Sequence, residues 1–124
     1  MRSAIVTGAG AGIGKTISEK LSENNYRVGM LDLNESNVND ASKEIENSLP
    51  LHGDVTSEES IKEAFKKFGE IPDLLVNNVG IVLFSPLEDH SISDYSKSIN
   101  INLLGSFITS RILINDMIKR GHGS

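Results

Sequence analysis

The 124-residue sequence contains no cysteine and no tryptophan. The lack of cysteine excludes disulfide bonds, thiolate zinc sites, iron–sulfur clusters and cysteine nucleophiles. Basic residues are also in the minority, because 12 Lys and Arg stand against 17 Asp and Glu, which gives a net charge of −5. We therefore expect neither a nucleic-acid partner nor an anionic membrane surface, although a helix N-terminus can bind phosphate without any lysine.

Long hydrophobic runs are absent as well. The longest apolar stretches, such as residues 81–84, are too short to span a bilayer, and the first residues lack the apolar length of a secretory signal. Hydrophobic residues make up 38% and charged residues 23% of the chain, which is ordinary globular usage. We expect a single cytoplasmic domain over residues 1–124, without a metal site because the three histidines lack metal-ligand spacing.

Patterns typical of strands and helices alternate along the chain. Short apolar runs predict strands near residues 4–7, 27–32, 49–52 and 73–76. Helices are predicted from Ile13, after a cap at Asn34, and after capping boxes that begin at Thr56 and Ser91. The last helix covers residues 92–118, and its apolar positions, expected to lie mostly in the core, are Ile92, Tyr95, Ile99, Leu103, Phe107, Ile114 and Met117.

This order of elements predicts a parallel sheet with helices on both faces, an α/β Rossmann-type doubly wound fold. Such sheets normally continue beyond four strands, and an open edge favours aggregation. We therefore expect the chain to be the front part of a larger domain, truncated after the fourth strand and the long helix that follows it. Gly123 and Ser124 would then lead into a fifth strand.

A glycine-rich turn separates the first strand from the first helix. Gly8, Gly10, Gly12 and Gly14 alternate with other residues there. Glycine permits a positive φ and lets the backbone approach a ligand closely, while the helix N-terminus that follows offers free N–H groups and partial positive charge. These properties together favour the binding of a pyrophosphate.

Three phosphate-binding motifs can be compared with this turn. The pattern G-x-G-x-x-G fails, since its third glycine would have to replace Ile13, Lys15 or Ile17. A P-loop fits almost, because Lys15 and Thr16 follow a glycine, but its first glycine would fall at Ala9. A P-loop nucleotidase therefore stays open as an alternative. The segment from Thr7 to Gly14 instead resembles the T-G-x-x-x-G-x-G turn of the short-chain dehydrogenases/reductases (SDR family).

Asp32 agrees with this resemblance because it ends the second strand, eighteen residues after Gly14. A carboxylate at that place accepts hydrogen bonds from the ribose diol of an adenosine and repels a 2′-phosphate. Ala11 and Leu33 flank the site, where NADP-using relatives often carry a basic residue. The resemblance therefore implies NAD as the cofactor, in preference to NADP.

Three further segments are similar to motifs of the same family. Asp54 and Val55 resemble the pair that meets the adenine, and Asn78 and Gly80 belong to a segment similar to N-N-A-G, which lies against the nicotinamide ribose. Asn102 matches the asparagine of V-N-L-x-G, a catalytic helper that holds a water molecule. The resemblance implies a cofactor site made of Thr7, Gly8, Gly12, Ile13, Gly14, Asp32, Leu33, Asp54, Val55, Asn78 and Gly80.

The catalytic Ser, Tyr and Lys of the family are missing. Lys follows Tyr by four residues in the family, whereas Met30 follows Tyr26 and Ile99 follows Tyr95 here. The resemblance thus implies the cofactor-binding half of an oxidoreductase that transfers hydride between a nicotinamide and a small carbonyl or secondary alcohol, and a homo-oligomer in the full-length form. A short dinucleotide-binding or regulatory protein without catalysis is the alternative, and the P-loop nucleotidase is the third hypothesis.

Overall fold

In the computed structural model, which describes residues 1–124, strands and helices alternate as far as the fourth strand, after which two helices follow in succession. A 3₁₀ turn at Leu87–Asp89 follows the fourth strand, and a π-helical turn at Asn100–Leu104 joins the last two helices. The strands are β1 (Arg2–Thr7), β2 (Tyr26–Asp32), β3 (Ser48–His52) and β4 (Leu74–Val76). The helices are α1 (Gly12–Glu23), α2 (Glu35–Lys43), α3 (Glu58–Phe68), α4 (Ile92–Ile99) and α5 (Gly105–Arg120).

The four strands form one parallel sheet in the order β3-β2-β1-β4. The predicted α/β doubly wound fold is confirmed by this order and by helices on both faces. After β3 the chain crosses back over β1 to reach β4, so the direction of strand addition reverses between β1 and β4. In open parallel sheets the carboxyl ends of the strands on either side of such a reversal form the ligand-binding crevice.

Each face of the sheet has its own hydrophobic core, because successive side chains of a strand point to opposite faces. Ile5 and Leu31 lie in one core, which α3 and α5 cover, and Val6 and Met30 lie in the other, which α1 and α2 cover. All four of these side chains are fully buried. Burial on both faces explains why the strands are nearly continuous apolar runs.

Two of the three predicted caps are confirmed. The side chains of Asn34 and Ser91 accept hydrogen bonds from backbone N–H groups in the first turns of α2 and α4. The cap predicted at Thr56 is wrong, because α3 is capped by Ser57, whose hydroxyl accepts from Ser60 N at 3.2 Å. The Thr56 hydroxyl instead donates to Asp54 Oδ1 at 2.7 Å, which removes it from the helix N-terminus.

The long helix differs most from the prediction. The buried residues of α5 are Gly105, Thr109, Leu113 and Met117. The π-helical turn adds one residue to the helix, which rotates the residues before it by about 100° relative to those after it. The expectation of a mostly buried apolar face is wrong, because the exposed fractions are Ile92 85%, Tyr95 60%, Ile99 40%, Leu103 65%, Phe107 60% and Ile114 48%, and only Met117 is buried at 8%.

The last residue lies on the free edge of β4. Ser124 N donates to Asp73 O at 3.0 Å, and Leu75 N donates to Ser124 O at 2.8 Å. These two bonds are those of a parallel pairing, in agreement with the expected start of a fifth strand. None of the helices combines the length and the apolar character that crossing a membrane requires.

Candidate functional site

The glycine turn packs its own backbone closely. Gly8 and Gly12 adopt positive φ angles of 67° and 56°. A Cβ at Gly14 would overlap the carbonyl oxygen of Gly8 and lie 2.6 Å from Asn78 Nδ2. At Gly12, in contrast, no atom lies within 4 Å of a Cβ position, so this part of the turn is open to a ligand. The turn therefore brings bare backbone to the start of α1.

The N-terminus of α1 lacks a side-chain cap. Ala11 stands at the N-cap position and makes no capping hydrogen bond, and Lys15 N is the first amide bonded to the N-cap carbonyl, at 3.2 Å. The amides before Lys15 have no acceptor within the helix. Since α2, α3 and α4 all have a capping side chain, α1 keeps donors and partial positive charge that an anion can use.

A cleft of about 390 Å³ opens beside this turn at the carboxyl ends of the strands. It lies at the reversal between β1 and β4, where the fold predicts a ligand. Seven of the residues named from the sequence line it: Gly8, Asp32, Leu33, Asp54, Val55, Asn78 and Gly80.

The other four residues predicted to bind the cofactor support the cleft or flank it. Gly12 and Ile13 lie in the turn and at the start of α1, and Ile13 is 74% exposed. Gly14 is buried below the turn. Thr7 is also buried, and its hydroxyl oxygen accepts hydrogen bonds from Asn78 N at 3.0 Å and from Val79 N at 3.2 Å. Thr7 therefore fixes the segment after β4 rather than facing the cleft.

Asp32 reaches from the end of β2 to the glycine turn. Its Oδ2 accepts a hydrogen bond from Gly10 N at 2.9 Å, and its Oδ1 accepts one from Asn34 N at 2.9 Å. A carboxylate offers about four acceptor positions, so two stay free after these bonds. The group thus lies in the cleft with a fixed orientation and with acceptor capacity for two more donors.

Asn102 joins the π-helical turn to the segment after β4. Its Oδ1 accepts from Ile81 N at 2.7 Å, and its Nδ2 donates to Ile81 O at 2.8 Å. Ile81 lines the cleft, so this paired contact sets the position of one cleft wall. Single π-turns inside helices are frequent at functional sites.

Lys15 does not face the turn as a P-loop lysine would. Its ammonium group pairs with Glu44 at 2.5 Å, beside the end of α2. The hydrogen bond from Lys15 to Glu44 raises the pKa of the lysine above its ordinary value. The Thr16 hydroxyl donates to Gly12 O at 3.3 Å and so stays within its own helix. This geometry does not favour the P-loop alternative.

Sequence reasoning missed several residues of this site. Gly10 was noted only as one of four glycines, although its amide holds Asp32. Ile101 lines the cleft next to Asn102. Thr109 is fully buried and donates to Asn77 Oδ1 at 2.6 Å, which ties α5 to the end of β4. A polar residue among the apolar positions of the long helix was the signal that could have revealed Thr109.

A family model described as short chain dehydrogenase matches residues 2–124. The chain belongs to this short-chain dehydrogenase family. Among curated relatives of the chain, an NAD-dependent glycerol dehydrogenase of Listeria innocua is 37% identical over 125 residues, which cover 97% of the chain and 49% of the relative. A diacetyl reductase ((S)-acetoin forming) of Staphylococcus epidermidis is 30% identical and is matched over 96% of the chain and 49% of its own length.

Solved structures agree with the family. A 3-oxoacyl-(acyl-carrier protein) reductase of Brucella melitensis with bound NAD superposes with a TM-score of 0.94 at 27% identity, over 98% of this chain and 50% of that one. The chain spans about half the length of the curated relatives that it matches. The matched half carries the cleft and the glycine turn.

Proposed function

We propose that the chain is the cofactor-binding half of an NAD-dependent oxidoreductase that transfers hydride between a nicotinamide and a small carbonyl or secondary alcohol. The single observation that carries this proposal is the position of Asp32, held in the cleft beside the uncapped N-terminus of α1. Membership of the short-chain dehydrogenase family and a relative described as NAD-dependent support it.

The residues of the cleft fit a dinucleotide. A Cβ at Gly12 would have no atom within 4 Å, and the N-terminus of α1 has no side-chain cap, so bare backbone and free amides at the start of α1 face the place of a diphosphate. The two free acceptor positions of Asp32 match the two hydroxyl groups of an adenosine ribose. Leu33 and Val55 supply apolar walls for the adenine, with Asp54 beside them.

The remaining residues orient the cofactor and exclude NADP. The charge of Asp32 repels a 2′-phosphate, which favours NAD over NADP. Asn78 and Gly80 form the wall for the nicotinamide ribose, and Asn102 keeps this wall in place through Ile81. The nicotinamide itself supplies the hydride chemistry when it is bound.

Proton transfer needs residues that this sequence does not contain. No Tyr is followed four residues later by Lys in the chain. We assign proton transfer to residues in the half of the relatives that the chain does not cover. Asn102 is the catalytic helper in the half that the chain covers. General acid–base transfer of this kind contributes on the order of 10²–10⁴-fold to the rate.

Oligomerisation and location are part of the same proposal. The exposed apolar side chains of Ile99, Leu103 and Phe107 provide a surface for pairing with a second copy of the protein. A cytoplasmic location fits a sequence without cysteine.

Titration calorimetry of the natural protein that carries this sequence tests the assignment, with NAD, NADP and ATP as ligands. NAD is expected to bind most tightly. Asp32→Ala is expected to weaken NAD binding by about tenfold to hundredfold, because charged hydrogen bonds contribute about 1.5–3 kcal/mol, and to strengthen NADP binding. Asp40→Ala is the matched control, since it removes an exposed carboxylate of α2 that only pairs with Lys43. Magnesium-dependent ATP binding without NAD binding would refute the proposal.

A further inference from the structure

The carboxylate of Asp32 is held from two sides by backbone amides. Gly10 N, in the glycine turn, donates to Oδ2, and Asn34 N, at the cap of α2, donates to Oδ1, both at 2.9 Å. Each oxygen keeps one acceptor position, so the two free positions lie on different oxygens. This arrangement suits two neighbouring hydroxyl groups, and rotation of the carboxylate would break both amide bonds.

Gly10 is the residue that makes this arrangement sterically feasible. A Cβ at Gly10 would lie 2.9 Å from Asp32 Oδ2, 3.1 Å from Asp32 Cγ and 3.1 Å from Asn37 Cβ. The φ of Gly10 is not positive, unlike those of Gly8 and Gly12, so its backbone conformation suits any residue. The need for glycine at position 10 is therefore a need for space beside the carboxylate.

Any side chain at position 10 must displace one of two neighbours. Asn37 belongs to the first turn of α2, which is fixed by the cap at Asn34. Its Cβ is fixed by the helix backbone, whereas the Asp32 carboxylate is the end of a side chain and can rotate at the cost of its two amide hydrogen bonds. A side chain at position 10 therefore moves the carboxylate and not the helix.

We infer that Gly10 is a positioning residue for cofactor choice, which acts through Asp32 by leaving the space and donating the amide that aim the carboxylate at the adenosine ribose diol. This inference rests on the proposed function. It assigns the protein's discrimination between NAD and NADP to two residues, Asp32 and Gly10. Asp32 supplies the charge, and Gly10 holds it where a 2′-phosphate would have to lie.

The test measures dissociation constants of the natural protein and its Gly10→Ala variant for NAD, NADP and NAD that lacks the adenosine 2′-hydroxyl. The preference for NAD over NADP is expected to fall by about tenfold in Gly10→Ala, which corresponds to about 1.4 kcal/mol. The penalty for removing the 2′-hydroxyl should shrink by a similar factor, because a displaced carboxylate no longer accepts from that group.

Two comparisons separate positioning from simple damage to the turn. A distorted turn would weaken NAD, NADP and the deoxy analogue by the same factor, because all three share the diphosphate, and that result would overturn the inference. In an Asp32→Ala background, Gly10→Ala is expected to change the NAD/NADP ratio no further, since its target is gone. A further tenfold change in that background would also contradict it.

Failure of the inference on Gly10 can be distinguished from failure of the proposed function. If the natural protein binds neither NAD nor NADP, the oxidoreductase proposal fails and the inference fails with it. If the natural protein prefers NAD and Gly10→Ala keeps that preference and the 2′-hydroxyl penalty, only the role of Gly10 is refuted.

Discussion

Replacing Gly14 by alanine tests whether close backbone packing holds the glycine turn. The added Cβ would overlap Gly8 O and lie 2.6 Å from Asn78 Nδ2. Gly8 O is a backbone atom at the end of β1, so it cannot move aside without moving the strand end. Asn78 Nδ2 donates to Thr7 O at 3.1 Å and to Gly8 O at 3.2 Å, and both bonds would be strained or lost.

The expected cost of Gly14→Ala is about 3 to 5 kcal/mol. Overpacking a well-packed site costs about 1–3 kcal/mol, and each lost hydrogen bond adds about 1 kcal/mol. Domains of this kind are stable by only about 5–15 kcal/mol, so the change is a large fraction of the total. The measurement is urea unfolding of the natural protein followed by circular dichroism, where the midpoint should fall and the slope should not change.

Gly53→Ala is the matched control. A Cβ at Gly53 would lie 3.4 Å from side-chain atoms of Ile61 and Leu31, which is ordinary contact. Its φ is not positive, so alanine fits the backbone and is expected to be neutral or stabilising by up to about 1 kcal/mol. If Gly14→Ala proves as stable as Gly53→Ala, the close packing described for the turn is incorrect.

Two further predictions concern the surface. The pKa of Glu58 lies below its ordinary value of 4.5, chiefly through the hydrogen bond from Lys62, so its stabilising effect exists above pH 4.5 and is lost as the pH falls through the folded-state pKa. NMR titration should show this low midpoint, and Lys62→Ala should return it toward 4.5. Phe107→Lys should shift the natural protein toward monomer in sedimentation velocity, because it places charge on the exposed apolar surface of α5. The control Asn115→Lys, about 80° around the helix, should not cause this shift. Equal sedimentation of the two variants would contradict pairing through Phe107.

The sequence was sufficient for the order of elements and for most of the cleft. Apolar runs and caps reflect local preferences, so they predicted β1 to β4 and the helices between them. The proximity of Asp32 to the glycine turn was also predictable, because parallel strands bring their carboxyl ends to one edge of the sheet. Val55 and Asn78 follow β3 and β4, and they lie in the same cleft for the same reason.

The wrong predictions, the cap of α3 and the buried face of the long helix, lie where the local sequence pattern is compatible with two structures. Thr56 and Ser57 are adjacent hydroxyl residues, and only the bond from Thr56 to Asp54 decides that Ser57 is the cap of α3. In the long helix, a spacing of four fits both the exposed positions such as Phe107 and the buried positions such as Thr109. The sequence also carried no clear sign of the π-helical turn that changes the phase between α4 and α5.

Hydrogen bonds connect the carboxyl end of β1 to the segment after β4, and connect that segment to the long helix. The Thr7 hydroxyl oxygen accepts from Asn78 N, and Asn77 Oδ1 accepts from Thr109 in α5. Asn102 then holds Ile81, further along the same segment. Asn77 and Asn102 each use both the amide oxygen and the amide nitrogen. Asn78 donates through its backbone N and its Nδ2. Aspartate therefore cannot replace any of the three without losing a donor. The wall of the cleft nearest β4 is therefore held by polar contacts to β1 and to the helix after it, together with the packing of Val79 against the core.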